Sequence, residues 1–109
     1  MISRAAGMNA FFIVGRIVSE PQLKRSQTGT SVCSVDLEVE RPFRNSSGEI
    51  DSDIIRVDVW RGAAETLAGA GRINSWIAVR GRIQTRTYEK EGQSWTSYGF
   101  IAERIEYLR

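Results

Sequence analysis

Histidine is missing from these 109 residues, and Cys33 is the only cysteine. One cysteine cannot close a disulfide within the chain, and without histidine no Cys/His zinc centre can be assembled. Acid–base and nucleophilic catalysis lose their usual agents, and no two carboxylates share a core face. The chain therefore reads as a binding protein rather than an enzyme, with no catalytic residue, cofactor or metal. Cys33 lies in an apolar strand pattern and is expected in the core. Long apolar runs are also lacking: none approaches the ~18 residues that a membrane helix needs. The first residues, M-I-S-R-A-A-G, are too short and too weakly apolar for a secretory signal. Lysine is scarce, with only Lys24 and Lys90 beside thirteen arginines. There is no internal repeat, low-complexity tract or linker.

What is present is ordinary globular composition, 41% hydrophobic and 26% charged, in a length that suits one small domain. Strand-like patterning begins at Met8, so residues 1–7 are expected to be a disordered extension and 8–109 the domain. The absence of disulfides fits a reducing, cytoplasmic setting. Net charge is only +2, from fifteen cations and thirteen acids. That balance does not by itself call for a polyanion. The type of cation says more, because arginine forks onto phosphate and stacks on flat groups.

The most informative stretch is Trp76 to Tyr88, W-I-A-V-R-G-R-I-Q-T-R-T-Y. A strand sends alternate residues to opposite sides. Ile77, Val79, Gly81 and Ile83 form an inward face. Trp76, Arg80, Arg82, Arg86 and Tyr88 line the other, a row of arginines with an aromatic at each end. Cations that follow a phosphate backbone, interleaved with rings on which bases stack, suit single-stranded nucleic acid. The plainer alternative is a solvated strand face with ordinary edge charges.

Four further strands follow from the pattern. Met8 to Val18 puts Phe11, Ile13, Gly15 and Ile17 on one face and Phe12 and Val14 on the other. Apolar residues on both faces suggest that the second meets another subunit. Ser19 to Gln22 breaks that strand, and residues 24–30 read as a polar turn. Ser31 to Arg41 turns Cys33, Val35, Leu37 and Val39 inward and Asp36, Glu38 and Glu40 outward, an acidic face that nucleic acid is expected to avoid. Residues 42–52 read as a long loop. Ile54 to Arg61 places Ile54, Arg56 and Trp60 outward. Gly62 to Gly71 is an alanine-rich short helix closed by glycine. Its G-A-G lacks the spacing of a nucleotide-binding loop. After the strand Asn74 to Tyr88, residues 89–93 form a hairpin loop, and Trp95 to Leu108 is the last strand. Five strands with one short helix between the third and fourth make the layout of an all-β OB-fold, a Greek-key barrel that binds oligonucleotides or oligosaccharides.

At this point the residues resemble a known family. Met8-Asn9, V-G-R-I at 14–17, E-P-Q-L at 20–23 and T-G-T-S-V at 28–32 follow the opening of bacterial single-stranded DNA-binding proteins. L-E-V-E-R-P-F at 37–43, V-D-V-W at 57–60 and G-R-I-Q-T-R-T-Y at 81–88 continue the likeness, which is to the shorter, Gram-positive or mobile-element type. The resemblance implies an OB-fold subunit, usually a homotetramer, that coats single-stranded DNA without sequence preference during replication, recombination and repair. It implies no activity and no cofactor, in a cytoplasmic, nucleoid-associated protein. By position, the family's stacking aromatics fall on Phe43, Trp60 and Tyr88, and a fourth stacking position on Ile54, which can cover a base but not stack as an aromatic does. Phosphate-contacting positions fall on Arg56 and Arg86. Arg16, Arg41, Arg80 and Arg82 join them on parity and charge. Trp76 departs from the family, either replacing the stacking lost at Ile54 or filling a subunit interface, and Trp95 has the same two readings. The family's linker and acidic tip, which recruit repair proteins, are not found before the chain stops at Arg109. Tail-mediated recruitment is therefore expected to be absent here, whether the tail was removed or the chain is a tail-less paralogue. The rival reading is an OB-fold primosome adaptor that acts through protein contacts, as a dimer. RNA is a third possibility, since only contacts to the 2′-hydroxyl separate it from DNA.

Overall fold

The computed structural model describes residues 7–108. The expected N-terminal extension, residues 1–7, lies outside them apart from Gly7. The chain forms β1 (Phe11–Ile17), β2 (Gln22–Arg25), β3 (Ser31–Arg44), β4 (Ile50–Trp60), α1 (Gly62–Ala70), β5 (Trp76–Lys90) and β6 (Gln93–Tyr107). The sheet order β1-β5-β6-β4-β3 closes on itself through a further β1–β3 pairing, giving a five-stranded barrel. The expected OB-fold layout is present, with the helix between the third and fourth barrel strands.

The sixth strand is a correction. Residues 22–25 read as part of a break and polar turn, yet β2 pairs antiparallel with the first residues of β3, Ser31–Ser34. One edge of β3 runs along β4; the other serves β2 at its start and β1 at Leu37 and Glu38. All four β2 residues are exposed, so no apolar alternation marked it.

The core is an ordinary aliphatic one. Ile17, Leu37, Leu67, Ile77, Val35, Val57 and Val59 are fully buried, and Cys33 is buried among them as expected, its thiol pushed up by desolvation. Each comes from the inward parity of its strand or from the buried side of α1. Phe11 meets Phe100 edge to face at 5.4 Å. Gly81 is required where β5 crosses β6: an added Cβ would lie 1.9 Å from the Ile101 carbonyl oxygen and 2.8 Å from the Phe11 ring. The ladder slips by one residue at this place, between Arg80 and Gly81, leaving Glu103 as the bulged residue of β6.

Two hairpins run past the end of the core. The β5–β6 arm turns at Glu91 and Gly92, with φ of 53° and 76°, the two left-handed residues of a tight hairpin turn. The β3–β4 arm replaces the expected loop at 42–52. Strand pairing persists to Arg44 and Ile50, and the turn is confined to Asn45–Glu49, where the Asn45 side chain accepts from the Ser47 and Glu49 amides. In this arm residues 41–43 bulge opposite Asp51, around Pro42, which has no amide hydrogen to give the ladder.

Candidate nucleic-acid interface

Apart from Arg41 and Arg56, which pair with acids on the β3–β4 ladder, the sequence-predicted residues fall into three places. Trp60, Arg82 and Arg86 come together in a groove between the end of β4 and the root of the β5–β6 arm, with a cavity of about 430 Å³ that Arg61 and Asp58 also line. A smaller cavity continues it along the arm past Asp58, Arg86 and Tyr98. Phe43 and Ile54 lie on the β3–β4 arm, 60% and 59% exposed, and Tyr88 stands half exposed on the other arm. Tyr88 faces Trp95 across the β5–β6 ladder, so the arm carries an aromatic pair.

Arg80, Trp76 and Arg16 belong elsewhere. In the β1–β5 ladder Phe12 faces Arg80, Val14 faces Ala78 and Arg16 faces Trp76. That outer face is apolar: Phe12 is 76% and Val14 54% exposed, and a shallow cavity there is lined by both, with Ala78 and Arg80. The arginine row of β5 is therefore not one continuous wall. Its lower member borders the apolar patch, while Arg82 and Arg86 border the groove, because the strand curves around the barrel and past the bulge at Gly81.

The acidic face of β3 also stands differently from expectation. It does not point away from the candidate cations but lies beside them. Asp36 is in register with Arg56 and accepts its Nε–H at 2.9 Å. Glu38 is in register with Arg16 and accepts from its Nη2 at 2.6 Å. Arg41 forks onto Asp53, at 3.1 Å and 2.8 Å. Arg82 reaches the bulged Glu103 at 3.4 Å. The hydrogen bond from Arg56 holds Asp36 below the usual carboxylate range, and that from Arg41 does the same for Asp53. Among the described residues, Arg80 and Arg86 are the predicted cations without an ion pair. The Arg41–Asp53 and Arg82–Glu103 pairs are exposed on both sides, and pairs of that kind are worth little.

Among the groove residues that were not foreseen are Asp58, Arg61 and Tyr98. Tyr98 has core parity, but its position lies past the barrel, where both faces of the arm meet solvent. Arg61 caps α1 with φ of 65° and ψ of −137°, a conformation that L side chains rarely adopt. Asp58 faces outward between Arg56 and Trp60 on β4. No cluster of acidic, cysteine or histidine side chains able to hold a metal occurs among the described residues. No helix there is long and apolar enough to cross a membrane.

A family model described as the single-strand binding protein family matches residues 8–108. Single-stranded DNA-binding protein 3 of Listeria innocua is 37% identical over 102 residues, which span 93% of this chain and 64% of that protein. Single-stranded DNA-binding protein B of Bacillus subtilis is 42% identical over 83 residues, 76% of this chain and 74% of the relative. The crystal structure of a deletion mutant of the single-stranded DNA binding protein from Thermus aquaticus matches with a TM-score of 0.80 at 25% identity, covering 94% of this chain and 51% of that one. A match that runs through all the barrel strands, the helix and both arms is the ground for the assignment: this chain belongs to the single-strand binding protein family.

Proposed function

We propose that the protein binds single-stranded DNA with little regard to sequence and protects it during replication, recombination and repair, in the cytoplasm at the nucleoid. The observation that carries this reading is the groove that joins Trp60 to Arg82 and Arg86 between two arms bearing Phe43, Ile54 and Tyr88. Arginines release counterions as they meet phosphates, so affinity falls with salt. Aromatics stack on bases at roughly 1–3 kcal/mol each, and every base offers a π-face. Arg56, Arg41 and Arg82 exchange their carboxylate partners for phosphates. Ile54 covers a base without stacking. The test is a titration with poly(dT) at two salt concentrations, followed by tryptophan fluorescence. Saturable quenching that weakens with salt is expected; an unchanged signal overturns the reading. Poly(U) in parallel shows whether the 2′-hydroxyl is tolerated.

The apolar face of Phe12, Val14 and Ala78, with Trp76 and Arg80 at its rim, supports a further part of the proposal, that it seats a second copy of the chain in a homotetramer. An exposed patch of this kind marks an interface. Native mass spectrometry separates four subunits from the two that a primosome adaptor would show.

A further inference from the structure

The outer end of the β5–β6 arm carries two large rings outside the core. Tyr88 and Trp95 are paired directly across the ladder, so both side chains leave the same face of the arm. Each is 50% exposed. Two opposed aromatics on a hairpin ordinarily stabilise it by packing on one another. These two do not: among the described residues, the paired rings are Phe11 and Phe100. The Tyr88 and Trp95 rings instead line one cavity of about 410 Å³, with Lys90, Glu91 and Gln93 around it. The charges of Lys90 and Glu91 offset each other, so the cavity offers flat apolar surface rather than a net field. Its frame is continuous, because the ladder keeps one register from Gly81 to the turn at Glu91 and Gly92. On the same face, one step nearer the barrel, stand Arg86 and Ser97, and Arg86 also lines the groove of Trp60. The cavity therefore continues the groove, with Tyr88 about 7 Å along the strand from Arg86. A space with an aromatic ring on each side accommodates a flat ring, and the base of a single strand that has just passed Arg86 is such a ring.

We propose that Trp95 and Tyr88 form a clamp that holds one nucleobase between their rings, with Trp95 a stacking residue beyond those that the family resemblance assigns. The inference rests on the single-stranded DNA reading above and extends its path to the tip of the arm. Its test is equilibrium titration of the intact protein with oligo(dT) at fixed salt, for the wild type and for variants of both residues. Trp95→Ala is expected to bind about tenfold more weakly, the lower part of the range for one stacked base. Trp95→Phe keeps a ring and should stay within about threefold of the wild type. Trp95→Leu keeps apolar bulk without a flat face and should bind like Trp95→Ala. Because the two rings share one base, Trp95→Ala combined with Tyr88→Ala should lose no more than about threefold beyond either change alone. Losses that multiply would put the rings on separate bases and overturn the clamp. Unchanged affinity in Trp95→Ala, or full rescue by Trp95→Leu, overturns the stacking role while wild-type binding of oligo(dT) still stands. An assembly state altered by Trp95→Ala in native mass spectrometry assigns Trp95 to a subunit contact and overturns it too. If the wild type does not bind oligo(dT), the single-stranded DNA reading fails and the clamp with it.

Discussion

Arg56 and Asp36 stand directly opposite each other on β4 and β3, and their ion pair occupies the cation that the resemblance assigns to phosphate. The pair acts as a competitor for DNA. Asp36→Asn removes the competing anion, so single-stranded DNA is expected to bind more tightly. The plot of log affinity against log salt should steepen by about 0.7 for each additional phosphate neutralised. The same pair sets a pH dependence. The folded-state pKa of Asp36 is depressed, chiefly by the Arg56 hydrogen bond. Its stabilisation is therefore complete above the unfolded value near 3.8 and is lost as pH falls through the lower folded value. Melting temperatures measured from neutral pH to below that value should fall more steeply in the wild type than in Asp36→Asn. Parallel curves would show that the pair contributes nothing.

Stacking and charge separate in the aromatics. Trp60→Ala and Tyr88→Ala are each expected to weaken single-stranded DNA binding by about 1–3 kcal/mol with the salt slope unchanged, because a ring releases no counterion. Tyr88 is half exposed, so Tyr88→Ala should hardly move thermal stability, whereas Trp60 is 36% exposed and Trp60→Ala should lower it modestly. Trp76→Ala, placed with the apolar patch rather than the groove, should leave affinity per subunit within about twofold. Titrations of all three variants at two salt concentrations decide the matter.

Much of this fold was legible from period-2 patterning. The inward residues of β1, β3 and β5 follow the pattern because a barrel strand buries one parity for as long as it borders the core. Legibility ends where that condition ends. The β2 residues bury neither face, and the two arms extend past the core, so residues 42–52 pass for a loop. Parity also carries no curvature, and Arg80 and Arg82, equivalent on paper, border different surfaces. The Asp36–Arg56 and Glu38–Arg16 pairs depend on register between strands. That register is set by turns and bulges that a residue-by-residue pattern does not contain.

Gly81 shows a different kind of constraint. A methyl group there would collide with the Ile101 carbonyl, a backbone atom that cannot swing aside. Gly81→Ala is expected to destabilise the barrel by about 3 kcal/mol, the upper part of the range for overpacking. Gly99→Ala is the control: its nearest atoms would lie at 3.6 Å and 3.8 Å, ordinary contact distance, and the cost should stay below about 1 kcal/mol. Urea unfolding of both variants measures the difference, and equal midpoints would refute the close-approach argument.

Phe12 tests the apolar face. A carboxylate at the centre of an interface is left unpaired and desolvated, whereas on a solvated face it costs little. Phe12→Asp is therefore expected to convert the assembly to smaller species in native mass spectrometry while each subunit keeps its melting cooperativity. An unchanged assembly would remove this face from the interface.

Arg61 joins stability to binding in opposite directions. Its φ of 65° and ψ of −137° approach a region that glycine occupies freely and other residues occupy at a cost of about 1–3 kcal/mol. The junction from β4 into α1 enforces it, since the Arg61 amide donates to the Ser31 carbonyl at 2.8 Å and its carbonyl accepts the Ala64 amide at 3.0 Å. Arg61 also lines the groove beside Trp60. Arg61→Gly should therefore raise the unfolding midpoint by relieving strain, even though it also loosens the unfolded chain. It should at the same time weaken single-stranded DNA binding and lower the salt slope by about 0.7 through loss of one cation. Arg61→Lys, which keeps the charge and the strain, should preserve affinity without the increase in stability. A glycine variant that becomes more stable and binds as well as the wild type would place Arg61 outside the DNA path. One that loses stability would show that the junction holds the conformation without strain.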